Sequence, residues 1–323
     1  MEHKVFIVII NFYKFSVTGK MITTKQFQIL TDINLAWDFM MDIYESSWAN
    51  GAAAPFFEYA LTSTWMDKTY LHLDRFWMDD NQIVGFVYTE SSAASIFFSL
   101  RPGYEELAEE MVEYAENHFP DFGEGKELVL FAGQRALIQA AEKQGYHIAY
   151  ENVDLLFDFK KAELNYELPD GFHFIDPLKI DMLKLAKCTW GGFNEEEHGP
   201  FENWDRPNPE MPWSPHKSYT GIVSSTIAPP PHSTYEYNVI IADEREDYVC
   251  FSGMWWVPQN KLAYMEPLCT VPKYRKKGLA AAALTQHYRR LKALGAEYMT
   301  GGGNDFYRKI GYGDGIHWLH CRK

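Results

Sequence analysis

Cysteine is scarce in this chain: Cys188, Cys250, Cys269 and Cys321 are the four present, all in the second half and none in CxxC spacing. That pattern indicates neither a zinc site nor a disulfide framework, and it fits a reducing, cytoplasmic setting. Basic charge is in short supply too, with 30 Lys and Arg against 44 Asp and Glu and a formal charge of -14. A general nucleic-acid binder needs a basic face for phosphate contacts, so the expected partners are neutral or cationic rather than nucleic acid. Long apolar runs are also missing. The run Val5–Ile10 follows Lys4 as a weak signal sequence would, yet it is too short to span a bilayer and no clean small-x-small cleavage site follows. No membrane partner is expected. Residues 1–20 read as an extension, either an accessory strand or the result of an upstream start codon.

What the chain does have is an order of parts that occurs twice. At 323 residues with 46% hydrophobic content, two ordinary cores fit better than one. Periodicity predicts a strand at Ile22–Thr31, helices at Leu35–Tyr44 and Phe56–Trp65, and strands at Leu71–Met78, Gln82–Tyr88 and Ser95–Leu100. A helix over Tyr104–His118, a strand at Glu127–Phe131, a helix over Gln134–Tyr146 and a strand at Asn152–Phe159 complete a mixed α/β unit. Polar Lys160–Gly171 ends in a turn signal and marks a junction, dividing the chain into domains 21–165 and 166–323. The second half runs through a strand at Phe172–Ile175, a helix at Leu178–Cys188 and a long irregular insert. Strands at Tyr237–Ala242, Tyr248–Trp256 and Leu262–Thr270 and a helix at Gly278–Leu294 follow. Two landmarks recur. LRPGYEELAEEM, from Leu100, aligns with TVPKYRKKGLAA, from Thr270, and EKQGY ending at Tyr146 aligns with RKIGY ending at Tyr312. Both agree at nearly the same offset with the same elements between them, which favours an internal duplication.

In the second copy the landmark turn offers a binding site. A helix starting near Gly278 leaves its first amide N–H groups unpaired, with partial positive charge from the helix dipole, and anions bind at such ends. Gly278 lets backbone approach a ligand with no β-carbon in the way, and Arg275, Lys276 and Lys277 add charge, so a diphosphate is the natural occupant. A solvated basic turn is the plain alternative. The first copy reads EELAEE, Glu105–Glu110, and its carboxylates would repel a diphosphate, leaving that copy a structural task.

Arg275-Lys276-Lys277-Gly278-Leu279-Ala280 matches the pyrophosphate loop R/Q-x-x-G-x-G/A of the GCN5-related N-acetyltransferases. YMEPLCTVPKYRKKGLAAAALTQHYRRLKALGA is similar to that family's strand four, loop and helix three, and NDFYRKIGY to a late segment of it. The whole chain thus resembles a tandem acetyltransferase of α/β mixed-sheet fold with a degenerate first copy. The resemblance implies that acetyl-coenzyme A (acetyl-CoA) pairs through its pantetheine with the backbone of Leu268, Cys269 and Thr270. It further implies that the Leu268 N–H polarises the thioester carbonyl and that Tyr307 is the general acid, with acetyl passing directly to a primary amine. Glu266, two residues before Leu268 and sent to the same face by strand alternation, is a candidate base; a water relay is the alternative. Asn304 stands where the family often carries a cofactor contact, at shorter spacing to Tyr307 than usual.

The acidic, aromatic insert Trp190–Tyr219 is the expected acceptor region, with Glu195, Glu196, Glu197, Glu202 and Asp205 attracting a cationic amine and Trp190, Trp204 or Trp213 lending a ring face. Solvated carboxylates and packed tryptophans are its plain alternative. His198, His216 and His232 lack metal-ligand spacing. Small cationic amines, a peptide N-terminus and a lysine all remain open as acceptors. So do a coenzyme A-binding sensor without catalysis and the transfer of a different acyl group.

Overall fold

The structure is a computed structural model, and it describes residues 15–17, 20–123, 125–211, 213–223 and 230–323. In the first half, β1 (Phe15–Val17) and β2 (Lys20–Gln26) precede α1 (Ile29–Asp42), α2 (Ala54–Thr62), β3 (Arg75–Asp79), β4 (Gln82–Thr89) and β5 (Ser95–Leu100). Then come α3 (Ala108–His118), β6 (Glu127–Phe131), α4 (Arg135–Lys143) and β7 (His147–Asp158). The second half has β8 (Phe172–Ile175), α5 (Met182–Gly192), α6 (Pro215–Ile222), β9 (Val239–Asp243), β10 (Tyr248–Val257) and β11 (Leu262–Thr270). It closes with α7 (Leu279–Lys292), β12 (Tyr298–Thr300), α8 (Asp305–Lys309) and β13 (Gly313–Arg322).

All the strands form one sheet, ordered β1-β2-β3-β4-β5-β6-β13-β7-β12-β11-β10-β9-β8. The order contains an exchange. β13, last in sequence, lies between β6 and β7, while β7 pairs with β12. Each half of the sheet is therefore completed by a strand from the other half of the chain. The parallel pairs β5–β6 and β11–β12 occupy equivalent places in the two halves.

Alternation along the strands feeds a core on each face. Phe86, Tyr88, Tyr264 and Ile316 pack with α1 and α2 on one side, and Phe157, Met265 and Met299 pack with Leu284, Tyr288 and Leu291 of α7 on the other. The stripe Leu284–Tyr288–Leu291 is thus packing, as its spacing implies.

Several elements differ from the sequence reading. The first strand stops at Gln26 because the Asp32 carboxylate accepts from Gln28 N at 3.0 Å and starts α1 earlier than Leu35. β7 begins at His147, five residues before the expected start, because exposed residues there pair with β13. Lys160–Gly171 is docked along α7, where Arg289 reaches Asn165 at 2.9 Å and Glu167 at 2.8 Å. A short accessory strand does occur at Phe15–Val17, whereas the apolar run Val5–Ile10 lies outside the described residues.

Leu319, buried in the exchanged strand β13, packs in the first half's core. Leu319→Ala should cost about 3 kcal/mol. Because both halves share β13, denaturant unfolding of this variant should remain one transition by circular dichroism and by tryptophan fluorescence, and two separated transitions would contradict the exchange.

Candidate functional site

β11 and β12 pair only at Leu262–Tyr298 and Ala263–Met299, and then diverge. Thr300 Oγ1 accepts from Met265 N at 2.7 Å and closes the point of the wedge. Beyond it, Val271 N donates to Val249 O at 3.0 Å, which fixes the parity of the β10–β11 ladder. Val271 and Cys269 face β10, so Leu268 and Thr270 turn their N–H and C=O groups into the wedge.

At its wide end the wedge meets the turn before α7. Gly278 takes φ 87° and Lys276 φ 62°, both left-handed, and no side chain caps the first turn of α7. A β-carbon on Gly278 would meet no protein atom, so backbone angle rather than crowding by the protein demands glycine here. A cleft of about 430 Å³ runs through this region, and it gathers Leu268, Cys269, Thr270, Arg275, Lys276, Gly278, Leu279, Ala280, Asn304 and Tyr307. Lys277 stands apart, its ammonium 5.2 Å from the Tyr274 ring and 5.9 Å from that of Phe172. Arg275 also departs from expectation. Its Nε donates to Thr270 O at 3.0 Å, and its Nη2 donates to Gly192 O at 2.8 Å and Asn194 Oδ1 at 2.9 Å.

Tyr307 is buried at the inner end of this cleft, on the first turns after the GGG run. β-Carbons on Gly301 and Gly302 would come within 2.8 Å and 3.2 Å of its ring, so those glycines let main chain lie against the phenol. Burial raises the Tyr307 pKa and keeps the phenol protonated. Asn304 caps α8, its Oδ1 accepting from Phe306 N at 3.0 Å.

Glu266 does not share a face with Leu268. Between Ser252 and Met254 the β10 register slips, so Glu266 and Pro267 together oppose Gly253 in a β-bulge. Gly253 is required there, because a β-carbon would lie 2.2 Å from Glu266 O. Met265 and Leu268 consequently both pack under α7, while the Glu266 carboxylate accepts from the Tyr264 hydroxyl. A second cavity of about 320 Å³ opens there, sharing Tyr307, Leu268 and Phe193 with the first and walled by Trp48, Phe56 and Trp318. Burial pushes Glu266 up to about 7 and Asp154, on β7, up to about 6, and the two carboxylates repel. Glu90, just past β4, is raised to about 7 by burial and by Glu266. Neither Asp154 nor Glu90 stood out in sequence, although a carboxylate inside the apolar run of β7 was a usable signal.

Only part of the insert reaches this region. Glu195 and Trp213 line a neighbouring cavity of about 250 Å³ together with Tyr59 and Glu266. Trp190, Glu196 and Glu202 instead line a separate cavity of about 600 Å³ beside α5, Glu197 and Asp205 are exposed, and Trp204 packs on Tyr219 at 4.8 Å. The insert is also less irregular than expected, because Ser214 and Pro215 start α6 and the Ser214 hydroxyl accepts from Lys217 N. His198 approaches Glu195 at 3.5 Å, His216 bonds Trp204 O, and His232 stacks on Trp37 and bonds Glu58 at 2.7 Å. Among the described residues, no group of three or more His, Cys, Asp or Glu could hold a metal ion.

No family model and no curated protein matches the sequence. Solved structures do match. An acetyltransferase of this type from Colwellia psychrerythraea aligns over 93% of this chain and 98% of its own, at TM-score 0.53 and 10% identity. A tandem protein from the clavulanic acid biosynthesis pathway aligns over 77% and 82%, at 0.51 and 10%. One from Sphaerobacter thermophilus aligns over 77% and 80%, at 0.50 and 12%. The chain has the fold of the GCN5-related N-acetyltransferases.

The first copy of that fold closes its own wedge. Phe98 and Leu100, aligned with Leu268 and Thr270, find partners within the chain: Gln134 Nε2 donates to Phe98 O at 2.7 Å, and Leu100 N donates to Asn50 O at 2.8 Å. The buried Gln134 side chain also accepts from Phe131 N at 3.0 Å and so bridges β5 and β6. In the turn, Glu105 accepts from Gly103 N at 2.9 Å, and in the first turn of α3 Glu110 accepts from Trp77 Nε1 at 2.9 Å. Acidic charge is therefore joined by direct occupation of the backbone edge.

Glu266 holds its proton more tightly folded than unfolded, so its contribution to stability is present below about pH 4.5 and is lost as pH rises through 7. Glu266→Gln should gain in melting temperature over the parent as pH goes from about 5 to about 8. A gap independent of pH would show that the carboxyl is not raised.

Proposed function

We propose that the protein is an acetyl-CoA-dependent N-acetyltransferase that acetylates a primary amine by direct attack in the second of two duplicated domains, 21–165 and 166–323. The observation that carries this is the wedge: main-chain groups of Leu268 and Thr270 face an open cleft that ends at an uncapped helix start and meets Tyr307.

The donor supplies an acetyl group activated as a thioester; the chain's residues bind, orient and move protons around it. The backbone at Leu268–Thr270 offers strand-like pairing to an extended pantetheine. The amides at the start of α7, with Lys276 beside them, suit a diphosphate. The Leu268 N–H, fixed by the ladder, is a dipole available to the carbonyl oxygen as negative charge develops on it. Glu266, with a pKa near 7, accepts the proton the ammonium must lose, either directly or through water. Tyr307 then donates its proton to the departing thiolate, and its raised pKa keeps that proton in place beforehand.

Carboxyl groups of Asp154 and Glu266 between aromatic walls, with Glu90 near enough to feel the Glu266 charge, favour a small cationic amine as acceptor. Pairing of a raised carboxyl with a protonated phenol across the meeting of two cavities favours an enzyme over a sensor. A cytoplasmic setting belongs to the same reading, supported by four buried free thiols. No helix among the described residues is long and apolar enough to cross a membrane.

Acetyl-CoA should raise the melting temperature, and Gly278→Glu, which puts a side chain and a negative charge into the turn, should abolish the rise. An equal rise in that variant would remove the turn from the site. A panel of amines scored by release of free thiol should yield an acceptor, whereas silence across the panel with the donor still bound would mean a sensor. With that acceptor, Tyr307→Phe should slow turnover by about a hundredfold while donor affinity stays within about threefold, and equal rates would strip Tyr307 of its role.

A further inference from the structure

Arg275 opens the phosphate turn, yet its Nε and Nη2 both donate to protein oxygens. The two acceptors of Nη2, Gly192 O and Asn194 Oδ1, flank Phe193. Phe193 is 45% exposed and lines three cavities: the cleft beside the turn, the cavity holding Glu266 and Asp154, and the one holding Glu195 and Tyr59. Its neighbours leave little freedom. A β-carbon on Gly192 would lie 2.7 Å from Cys269 Sγ, so the segment is pressed against β11, and Asn194 is held at a left-handed φ of 61°.

We propose that Arg275 is a positioning residue that ties the phosphate turn to Phe193, so that the turn which holds the donor also sets the aromatic wall shared by donor cleft and acceptor cavity. This rests on the reading of the turn as a coenzyme A site. Arginine suits the task because one planar fork reaches three oxygens on two segments, which a lysine ammonium on a flexible stem does not reproduce. Coupling of this kind acts in both directions: order at Phe193 favours the turn, and a filled turn favours order at Phe193.

The test compares the parent with Arg275→Lys, which keeps the charge and loses the fork. Calorimetry measures coenzyme A affinity, and amide hydrogen exchange follows residues 191–196 with and without coenzyme A. The expected result is an affinity within about threefold of the parent, with exchange at 192–195 faster by about tenfold in both conditions. With an acetylated amine in hand, KM for the amine should rise about tenfold in Arg275→Lys and in Phe193→Ala while kcat changes less than threefold, and the double variant should add nothing further. A coenzyme A affinity weakened tenfold or more, with exchange at 192–195 unchanged, would make Arg275 a diphosphate ligand and overturn the proposal. A parent that binds no coenzyme A would instead remove the functional reading, and exchange in the ligand-free proteins would still report whether Arg275 holds the segment.

Discussion

The site depends on a hydrogen-bonding constraint: where two parallel strands that begin together separate, as β5–β6 and β11–β12 both do, the main-chain groups on their facing edges need other partners. The chain meets this requirement in two ways. Between β5 and β6, the Gln134 amide and the Asn50 carbonyl supply the partners from within the protein. Between β11 and β12, Thr300 closes the apex and Arg275 takes Thr270 O, while the rest of the edge at Leu268 and Thr270 faces a cleft. On the proposed function, a bound pantetheine would answer the same hydrogen-bonding demand that a buried glutamine answers in the first copy. This accounts for the difference between the copies more directly than charge alone.

The exchange of β7 and β13 places the second cavity between the two halves. Asp154 comes from β7 and Trp318 from β13, while Trp48 and Phe56 come from the first half and Glu266 from the second. The copy with a closed wedge therefore still contributes walls and charge. Burial raises the carboxyl groups of Asp154, Glu266 and Glu90, and the Asp154 charge raises Glu266 further as the Glu266 charge does Glu90.

Much of the cleft before α7 was legible in sequence because its cues are local. A glycine before a helix, basic neighbours and a proline after a strand all lie within a dozen residues, and Arg275, Lys276 and Gly278 among them line one cleft. Tyr307 follows the same rule, since its place is set by the short path from β12. Legibility ended where one segment's role depends on another's position. The two-for-one bulge opposite Gly253 turned Glu266 away from the face that alternation assigns to it, and only the pairing register shows this. Arg275 reads as a phosphate residue until the end of α5 is seen beside it. Glu90 and Asp154 lie far from the turn in sequence, and their approach to Glu266 depends on the strand order.

The place of β13 also binds the two halves to each other. With its last strand threaded between β6 and β7, the chain cannot lose either half without stripping the other of a neighbour and baring sticky sheet margins. The half whose wedge is filled from within is thus still needed as scaffold, since its strands hold the margins of the half whose wedge stays open.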